Sequence, residues 1–394
     1  MSKLNDLINK LCPDGVEFVK LGETCEVLRG KRLTKKQLSE TEKYPVFHGG
    51  IQPIGFYSKK NRNANTVMII NVGASAGTIG YSEKDFWSSD GCYCLSHTES
   101  VLPRYIYYVL SKDQHYFQSK VRHGGIPTLD ALVVRNYRIP LPPLPIQTEI
   151  VRILDKFTQL EAELEAELDC RKRQYEFYRD QLLSFDKITP PERNNVVWMP
   201  ITEVFEMRNG YTPSKNKPEY WEGGKIPWFR MEDIRQNGRI LSDSIQHITM
   251  DGVKKGNLFK ANSFILATTA TIGEHALVIA DSLANQRFTN LSVRKSLKDR
   301  IIIKFLFHYM FIIDDWCKNN VNISGFASVD MNKFKKLEIP IPPIEEQNRI
   351  VAILDRFESL TTSLQHGLPA EIAARRQQYE CYRDKLLDFK RKTA

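Results

Sequence analysis

The chain has 394 residues, and 56 Lys and Arg residues against 47 Asp and Glu residues give it a formal net charge of +9. Hydrophobic residues make up 42% and charged residues 26%, which is typical of a globular protein and excludes a wholly disordered or fibrous chain. At roughly 100–200 residues per domain, this length predicts two domains or more.

The N-terminus and the cysteines bear on the compartment. The first twenty residues hold no continuous apolar stretch, so we expect no signal peptide. The chain has 7 cysteines and no C-x-x-C pair, which argues against a zinc site and against a disulfide framework. Both observations predict a protein of the reducing cytoplasm.

Residues 1–145 form the first predicted globular block, with a net charge of +6. Its segment Gly30-Lys-Arg-Leu-Thr-Lys35 combines a turn glycine with basic side chains. The stretch Gly73-Ala-Ser-Ala-Gly77-Thr-Ile-Gly80 has the wrong glycine spacing for a dinucleotide-binding fingerprint and is typical of a tight connection between strands. A basic block is compatible with a polyanionic partner, although a basic enzyme without such a partner has the same composition.

Residues 146–186, with a net charge of −4, form a long helix by pattern. Apolar side chains recur mostly at spacings of three and four, as in the seam of a two-helix coiled coil. A tandem repeat, Glu161-Ala-Glu-Leu164 and Glu165-Ala-Glu-Leu168, indicates either a spacer that changes length by whole turns or a simple solvated helix. The seam residues predicted here are Ile150, Leu154, Phe157, Leu164, Leu168, Tyr175 and Tyr178.

Residues 187–345 form the second predicted globular block, with a net charge of +5, and residues 346–394 contain the second long helix. The apolar run from Ile301 to Ile313 is too short to cross a membrane and predicts a core helix. The second long helix should be interrupted near Gly367-Pro369, because glycine and proline break or kink helices. Its predicted seam residues are Ile350, Leu354, Phe357, Tyr379 and Tyr382.

The chain is an internal repeat. Residues 139–157 match residues 339–357, reading IPLPPLPIQTEIVRILDKF and IPIPPIEEQNRIVAILDRF. Residues 175–185 match residues 379–389, and Gly77-Thr-Ile-Gly80 is paired with Thr271-Ile-Gly273. Two similar blocks and two similar helices predict a pseudo-two-fold arrangement. The predicted fold class is α+β, with two globular mixed α/β domains joined by two long antiparallel coiled-coil helices.

The repeated segments resemble those of the specificity subunit of type I restriction-modification systems. The proline-rich entry followed by Gln147 or Gln347, the Ile-Val-x-Ile-Leu-Asp run and the Tyr-Glu-x-Tyr-Arg-Asp-x-Leu-Leu ending are features of that family's helical regions. The resemblance covers essentially the whole chain. It implies that each block is a target recognition domain reading one half of an asymmetric bipartite DNA target, with the helices setting the gap between the halves.

The resemblance also implies partners. These are double-stranded DNA, two methyltransferase (modification) subunits docked on the helices, and restriction/translocase subunits in the full complex, in a prokaryotic cytoplasm and without a membrane. S-adenosylmethionine, ATP and magnesium are expected on the partner subunits, with no cofactor in this chain. The sequence lacks the Asn-Pro-Pro-Tyr and Asp-Pro-Pro-Tyr segments of amino-methyltransferases, a G-x-x-x-x-G-K-[ST] loop and an H-E-x-x-H motif. We therefore expect a non-catalytic subunit without a metal site.

Candidates for DNA contact are basic, amide and aromatic side chains in predicted loops, because arginine and lysine suit guanine and amides suit adenine. In the first block they are Lys31, Arg32, Lys35, Lys59, Lys60, Asn61, Arg62 and His123. In the second block they are Tyr211, Lys215, Lys217, Arg230, Arg235, Lys254, Lys255 and Arg287. For any single one, a solvated surface charge or a contact to phosphate alone is the alternative.

Two other functions stay open at this point. One is a free-standing enzyme, such as a nuclease or methyltransferase, which the missing motifs disfavour. The other is a coiled-coil assembly protein whose partners are proteins only. The seam tyrosines leave a similar choice, since they either pack between the two helices or face a methyltransferase subunit.

Overall fold

The computed structural model describes residues 2–185, 195–322, 327–363 and 367–392. The chain divides into two compact units. Unit 1 comprises residues 1–167 and 370–394, and unit 2 comprises residues 168–369. Each unit therefore contains one globular block together with parts of both helical regions.

The helices follow the predicted periodicity closely. The long helix α6 covers 39 residues, and the second helical region is divided into α11 and α12. No helix in the described residues combines the length and apolarity needed to cross a membrane. The α-helices are α1 (Ser2–Leu11), α2 (Leu21–Thr24), α3 (Pro103–Lys112), α4 (Gln114–Ser119), α5 (Ala131–Asn136), α6 (Leu144–Leu182), α7 (Ile201–Val204), α8 (Met231–Asn237), α9 (Ile303–Asn319), α10 (Met331–Phe334), α11 (Ile344–Thr362) and α12 (Leu368–Leu386). Short 3-10 helices cover Lys35–Gln37, Pro218–Tyr220, Met250–Gly252, Lys254–Gly256 and Lys295–Leu297.

The strands fall into two sets, one in each unit. Those of unit 1 are β1 (Phe18–Lys20), β2 (Cys25–Arg29), β3 (Tyr44–Phe47), β4 (Phe56–Tyr57), β5 (Thr66–Ile70), β6 (Ile79–Ser82), β7 (Trp87–Ser88), β8 (Cys92–His97) and β9 (Arg138–Pro140). Those of unit 2 are β10 (Val197–Pro200), β11 (Phe205–Asn209), β12 (Ile226–Phe229), β13 (Ile240–Leu241), β14 (His247–Ile248), β15 (Ser263–Ala267), β16 (His275–Val278), β17 (Leu283–Ala284), β18 (Phe288–Val293), β19 (Val321–Asn322), β20 (Ser328–Val329) and β21 (Glu338–Ile341).

The two units share one topology, which confirms the internal repeat. In unit 1, an antiparallel sheet has the order β2-β8-β5-β6, and a second sheet has the order β4-β3-β7. In unit 2, the orders are β11-β18-β15-β16-β13 and β14-β12-β17, so that β13 is an added edge strand. The pairs β3–β7 and β12–β17 are both parallel. The pairs β1–β9 and β10–β21 are both antiparallel.

The central strand of each unit is apolar on both faces because both faces are covered. In β5, Val67 and Ile69 belong to the main core of unit 1, whereas Met68 and Ile70 pack with Phe47 in a smaller cluster. Alternate residues of a strand point to opposite sides, so a strand between two cores becomes a continuous apolar run. Strand β15 does the same in unit 2, with Phe264 and Leu266 on one side and Ile265 and Ala267 on the other.

A buried glutamine fixes the first turn of each long helix. In unit 1, Gln147 accepts a hydrogen bond at Oε1 from the backbone N–H of Leu102 (2.9 Å). Its Nε2 donates to the carbonyls of Ser100 (3.1 Å) and Pro142 (2.7 Å). The amide therefore joins the proline-rich entry to the start of α3. In unit 2, Gln347 makes the same three bonds, at 2.8–2.9 Å, with Ile302, Arg300 and Pro342.

The aspartate of the Ile-Leu-Asp run anchors the same helix about two turns later. Asp155 accepts hydrogen bonds from Arg104 Nε (2.8 Å) and from the Tyr108 hydroxyl (2.5 Å), both on α3. Burial, together with the neighbouring carboxylate, raises the pKa of Tyr108 above its ordinary value. In unit 2, Asp355 has partners on α9 at the positions equivalent to Arg104 and Tyr108, namely Lys304 and His308, each at 3.0 Å.

In unit 1 the predicted seam is an antiparallel pair of helices. Phe157 of α6 stacks on Tyr382 of α12, with ring centroids 5.2 Å apart. Further along α6, Glu161 pairs with Arg376, which precedes Tyr382 in α12. Tyr379 lies against Tyr108, at 6.4 Å between ring centroids. The equivalent pairs within unit 2 are Tyr178 with Phe357 (5.5 Å) and Tyr175 with His308 (6.4 Å).

The other predicted seam residues divide into two groups. Four are fully buried and extend into the cores of their units: Ile150, Leu154, Ile350 and Leu354. Leu164 and Leu168 are partly exposed. The start of each long helix is thus part of a globular core, and only its later turns resemble a simple coiled coil.

Candidate nucleic-acid interface

Several loops of unit 1 meet at one end of its two sheets. Strand register places the C-terminal ends of β2, β5 and β7 beside the N-terminal end of β8, and β3 ends there as well. We call this region, formed by residues 30–35, 48–55, 71–78 and 89–91, the loop end of unit 1. The equivalent strands of unit 2 place residues 210–217, 230, 268–274 and 285–287 together, and these form the loop end of unit 2.

A glycine allows two loops to cross at the loop end of unit 1. A Cβ atom at Gly30 would lie 2.0 Å from the carbonyl oxygen of Ser89, so no other residue fits without backbone movement. The next residue, Lys31, donates its backbone N–H to Ser88 (2.9 Å) and accepts a hydrogen bond from Trp87 Nε1 (2.7 Å). These backbone contacts fix the loop and leave the side chains of Lys31, Arg32 and Lys35 exposed.

The same crossing is built in unit 2 around Gly210. A Cβ atom there would lie 2.2 Å from the carbonyl oxygen of Asn285. Tyr211 donates its N–H to Ala284 (2.9 Å), and its carbonyl accepts from Trp228 Nε1 (3.0 Å). The two loop ends therefore share a backbone frame but present different side chains.

Tyr211 and Lys254 come together in unit 2. The Tyr211 hydroxyl accepts a hydrogen bond from the Lys254 backbone N–H (2.6 Å), and the Lys254 ammonium lies 4.6 Å from the centre of the ring. Lys217 donates to the Tyr220 hydroxyl (3.1 Å), and this hydrogen bond raises the pKa of Lys217. An aromatic ring beside an ammonium group offers a stacking surface and a positive charge at the same place.

Arg230 and Arg287 also lie at the loop end of unit 2. Arg230 follows β12, its guanidinium lies 5.8 Å from the centre of a Trp228 ring, and its backbone N–H donates to Asp233 (2.6 Å). Arg287 is exposed in the turn between β17 and β18. The structure therefore brings Tyr211, Arg230, Lys254 and Arg287 to one region.

Three candidates of unit 1 have partners within the fold. Lys60 pairs with Asp85 (2.7 Å), and this hydrogen bond is the main cause of the lowered pKa of Asp85. The Asn61 amide donates to the Ser88 carbonyl (2.9 Å) and accepts from the Ser88 N–H (2.7 Å). Arg62 donates to the carbonyl of Arg29 (3.0 Å). These side chains hold the segment between β4 and β5 against the strands beside it.

The remaining five candidates are exposed, and the described residues show no side-chain contact between them and the other candidates. They are Lys59, His123, Lys215, Arg235 and Lys255. His123 belongs to a hairpin of unit 1, residues 122–128, which is tied to the loop end through Val72 and Gly73.

Sequence reasoning missed two features of the loop ends. Thr212 donates a hydrogen bond to Gln286 (2.5 Å), which links two loops of unit 2 beside Arg287. The polar run 285–287 between two apolar strands is the signal that points to this turn. In unit 1, Ile126 projects from the hairpin of His123, and its flanking Gly-Gly and Pro are the corresponding signal.

One equivalence predicted from the sequence is wrong. The pairing of Gly77-Thr-Ile-Gly80 with Thr271-Ile-Gly273 matches Gly80 to Gly273. The structure instead makes Gly77 the equivalent of Gly273, because each donates its N–H to the last residue of the preceding strand, Ile70 or Ala267. Both glycines have positive φ, at 87° and 74°, whereas Gly80 lies inside β6. The loop in unit 1 is one residue longer, and this shifts the alignment.

One group in the described residues brings together three potential metal ligands, His308, Asp355 and Glu358. Both ring nitrogens of His308 already have partners, since Nδ1 lies 3.2 Å from the Tyr175 hydroxyl and Nε2 lies 3.0 Å from Asp355. Burial lowers the pKa of His308 and raises that of Glu358. This arrangement serves to hold α6, α9 and α11 together in unit 2.

Comparison with known proteins matches these features to one family. Residues 13–169 and 194–374 match the type I restriction modification DNA specificity domain. The chain is 52% identical over 202 residues to the type I restriction enzyme EcoprrI specificity subunit of Escherichia coli, covering 50% of each chain. It is 40% identical over 275 residues to the EcoR124I/EcoR124II specificity subunit of Escherichia coli, covering 65% of each. These two matches thus span between half and two thirds of each relative.

A solved structure supports the fold. The S subunit of the type I restriction-modification system from M. genitalium aligns with a TM-score of 0.55 at 16% identity, covering 95% of this chain and 96% of that one. Identity at this level is informative about architecture alone, and the architecture agrees with the predicted fold class.

Proposed function

Because the chain belongs to the type I restriction-modification DNA specificity family, we propose that it is the DNA-reading subunit of a type I complex. Each unit reads one half of an asymmetric bipartite target. The observation that carries this proposal is the loop end, which is built twice on one backbone frame with different exposed side chains. The common backbone frame presents the side chains of both loop ends to DNA in the same way. The side chains that differ, such as Lys31 in unit 1 and Tyr211 in unit 2, then select different bases.

The contacts of the candidates divide them by role. In unit 1, Lys31, Arg32 and Lys35 reach DNA directly, whereas Lys60, Asn61 and Arg62 support the loop because each side chain already bonds within the fold. In unit 2, the direct contacts come from four side chains of the loop end and its neighbouring turn: Tyr211, Arg230, Lys254 and Arg287. The other candidates contact phosphate, with positive charge from Lys59, Lys215, Lys217, Arg235 and Lys255 and with a ring N–H from His123.

The long helices act as the spacer between the half-sites and as the docking site for two methyltransferase subunits. Their later turns leave apolar side chains partly exposed, including Leu160, Phe177 and Leu360. The seam tyrosines pack mainly within their own units, so the partner surface lies beside them. Restriction subunits complete the nuclease in the cytoplasm, and S-adenosylmethionine, ATP and magnesium bind to the partner subunits. This chain then contributes recognition and no catalytic residue.

Mapping of modified bases in a host that expresses the chain with its methyltransferase subunits tests the proposal. The expected result is one bipartite motif with two different halves and a fixed gap. Exchange of residues 16–138 for the equivalent segment of another family member should change one half only. Incubation of the purified chain alone with DNA, S-adenosylmethionine, ATP and magnesium should give neither methylation nor cleavage. Either activity, or a motif without two halves, contradicts the proposal.

The spacer role has its own test in α6. Insertion of one more Glu-Ala-Glu-Leu unit after Leu168 lengthens a helix by about 6 Å, or between one and two base pairs. Both half-sites should be retained, and the gap should widen. Rearrangement of residues 165–168 to Ala-Glu-Glu-Leu keeps the length and is the matched control. An unchanged gap in an active complex that contains the insertion would refute the spacer role.

The coiled-coil assembly protein is the second candidate, since paired antiparallel helices are also typical of protein scaffolds. That function predicts no bipartite motif in DNA selected with the partner-bound complex. A DNA-reading subunit should in addition lose affinity steeply as salt rises, because neutralised phosphates release counterions.

A further inference from the structure

One hairpin in unit 1 presents an apolar side chain to solvent. Residues 122–128 turn back on themselves, because Arg122 and Thr128 exchange backbone hydrogen bonds of 2.9 and 3.1 Å. Ile126 lies in the turn and is 75% exposed, the highest value for a large apolar side chain in the described part of the chain. A single exposed isoleucine is common, so the hairpin around it decides whether it has a role.

The hairpin is held at several points. The carbonyl of Pro127 accepts a hydrogen bond from Gly73 (2.9 Å), and Leu129 donates to Asn71 (2.9 Å). The Thr128 hydroxyl donates to the carbonyl of Ile126 itself (2.8 Å). Gly125 has a φ of 129°, which an L-residue rarely adopts, and Pro127 has a restricted φ. Ile126 is therefore presented on a fixed backbone, and binding through it costs little additional ordering.

The chain contains a second copy of the same tetrapeptide, which serves as an internal comparison. His48-Gly-Gly-Ile51 repeats the sequence of residues 123–126. Ile51 packs over Gly80 of β6, where a Cβ atom would lie 3.1 Å from its Cγ2. His48 Nδ1 accepts a hydrogen bond from the Gly91 N–H (3.3 Å). Ile51 is nevertheless 46% exposed, so the first copy rests against the fold on one side, whereas the second directs its isoleucine outward at 75% exposure.

The charge around Ile126 favours a polyanion as the partner. Lys120, Arg122 and His123 lie in or beside the hairpin and are exposed, and the basic loop of residues 31–35 belongs to the same loop end. Arg122 has one acidic neighbour, Asp130, at 3.6 Å. A two-stranded hairpin has a suitable width for the major groove of DNA, where the thymine methyl group is the apolar feature that an aliphatic side chain recognises.

We propose that Ile126 reads an A·T pair in the half-site of unit 1, through contact of its side chain with the thymine 5-methyl group in the major groove. This inference rests on the proposed function, since it requires that unit 1 contacts a half-site. It adds an apolar specificity residue to a set of candidates that is otherwise basic, amide or aromatic.

Replacement of thymine by deoxyuridine tests the contact, because it removes the methyl group alone. The experiment uses the complete complex with its methyltransferase subunits and duplexes that carry the target motif. The half-site of unit 1 is first assigned by the exchange of residues 16–138. Each thymine in that half-site is then replaced in turn. For the unaltered protein, one replacement should weaken binding about fourfold, the effect of about one buried methyl group.

Variants of Ile126 complete the test. Ile126→Ala should bind the thymine duplex about fourfold or more weakly and should no longer distinguish thymine from deoxyuridine, whereas Ile126→Val should keep part of the discrimination. The salt dependence of binding should not change, because no phosphate contact is lost. Ile279→Ala removes an exposed isoleucine at the opposite end of the sheet in unit 2 and should keep full discrimination.

Three results would overturn the inference while the bipartite motif, and with it the proposed function, stands. The first is equal discrimination by Ile126→Ala and the unaltered protein. The second is a half-site of unit 1 without an A·T pair. The third is loss of methyltransferase subunits from the Ile126→Ala complex without any change in discrimination, which would assign Ile126 to a protein interface. Absence of a bipartite motif would instead count against the proposed function.

Discussion

The buried glutamines at the start of α6 and α11 allow a paired test of how each unit is held together. Gln147→Met keeps an unbranched side chain of similar volume and removes every polar atom. In unit 1 it leaves the Leu102 N–H and the Pro142 carbonyl without their partner, and it removes one bond to Ser100. The change therefore affects hydrogen bonding much more than packing.

The expected loss follows from the number of orphaned groups. A buried donor or acceptor without a partner costs about 1–3 kcal/mol, and Gln147 satisfies the buried Pro142 carbonyl and the half-buried Leu102 N–H in addition to the carbonyl of the exposed Ser100. We expect Gln147→Met to reduce the local stability of unit 1 by about 3 kcal/mol. Gln347→Met should reduce that of unit 2 by a similar amount, since Gln347 makes the same three bonds.

Hydrogen exchange measured by mass spectrometry resolves the two units. Peptides from residues 102–110 report on α3, and peptides from residues 302–310 report on α9. Gln147→Met should speed exchange in the first peptide set, and Gln347→Met should speed it in the second. Gln159→Met is the matched control, because Gln159 is exposed on α6 and bonds only to Glu163 in the described residues, so that its loss should be below about 0.5 kcal/mol.

Two outcomes would refute this account of the glutamines. One is a loss below about 1 kcal/mol in both variants, which would mean that water replaces the amide without cost. The other is equal acceleration of both peptide sets by Gln147→Met, which would mean that the hydrogen bonds do not act within one unit.

His308, Gly210 and Arg376 give tests of pH, backbone and charge effects. Burial lowers the pKa of His308, so the unfolded chain takes up a proton near pH 6.5 before the folded chain does. The folded state should therefore lose stability as the pH falls below that value. In His308→Gln, the unfolding midpoint should fall less between pH 7 and pH 5 than it does in the unaltered protein. Gly210→Ala places a methyl group against the Asn285 carbonyl and should cost about 1–3 kcal/mol in urea unfolding. Arg376→Ala removes the ion pairs of an exposed guanidinium with Glu161 and Glu165 and should cost less than about 1 kcal/mol, an effect that 1 M salt should abolish in the same measurement.

The helices were largely predictable because their signal is local. Spacings of three and four residues place a helix over residues 146–186, and α6 covers Leu144–Leu182. The run from Ile301 to Ile313 predicts a core helix, which α9 confirms. The repeat also predicts two similar blocks, and the two units share their sheet topology apart from the added strand β13. Strand order did not follow from the sequence, because pairing between distant segments such as β3 and β7 leaves no mark in either segment alone.

The roles of loop residues were less accessible. An asparagine between two strands suits an adenine edge, which is why Asn61 is a candidate, yet its amide bonds to Ser88 on both sides. The sequence is the same whether the amide of such a side chain bonds to a ligand or to the protein itself, so the sequence alone does not distinguish the two roles. Ile126 is the opposite case. An apolar residue in a loop is expected to pack against the protein, and only the structure shows that Ile126 is exposed.

The frame of each loop end consists of backbone hydrogen bonds, a crossing glycine and buried side chains, and the exposed residues contribute little to it. Lys31 and Tyr211 occupy equivalent positions in that frame, where each donates its N–H to a carbonyl at the end of the neighbouring strand. A change of side chain at Lys31 alters what is presented to DNA and leaves these bonds in place. The side chains of Tyr211 and Asn61 are themselves part of the frame, because the Tyr211 hydroxyl accepts a hydrogen bond from the Lys254 N–H and the Asn61 amide bonds to Ser88. Recognition can therefore diverge at positions such as Lys31 while the fold is retained, whereas a change at Tyr211 or Asn61 affects both properties at once.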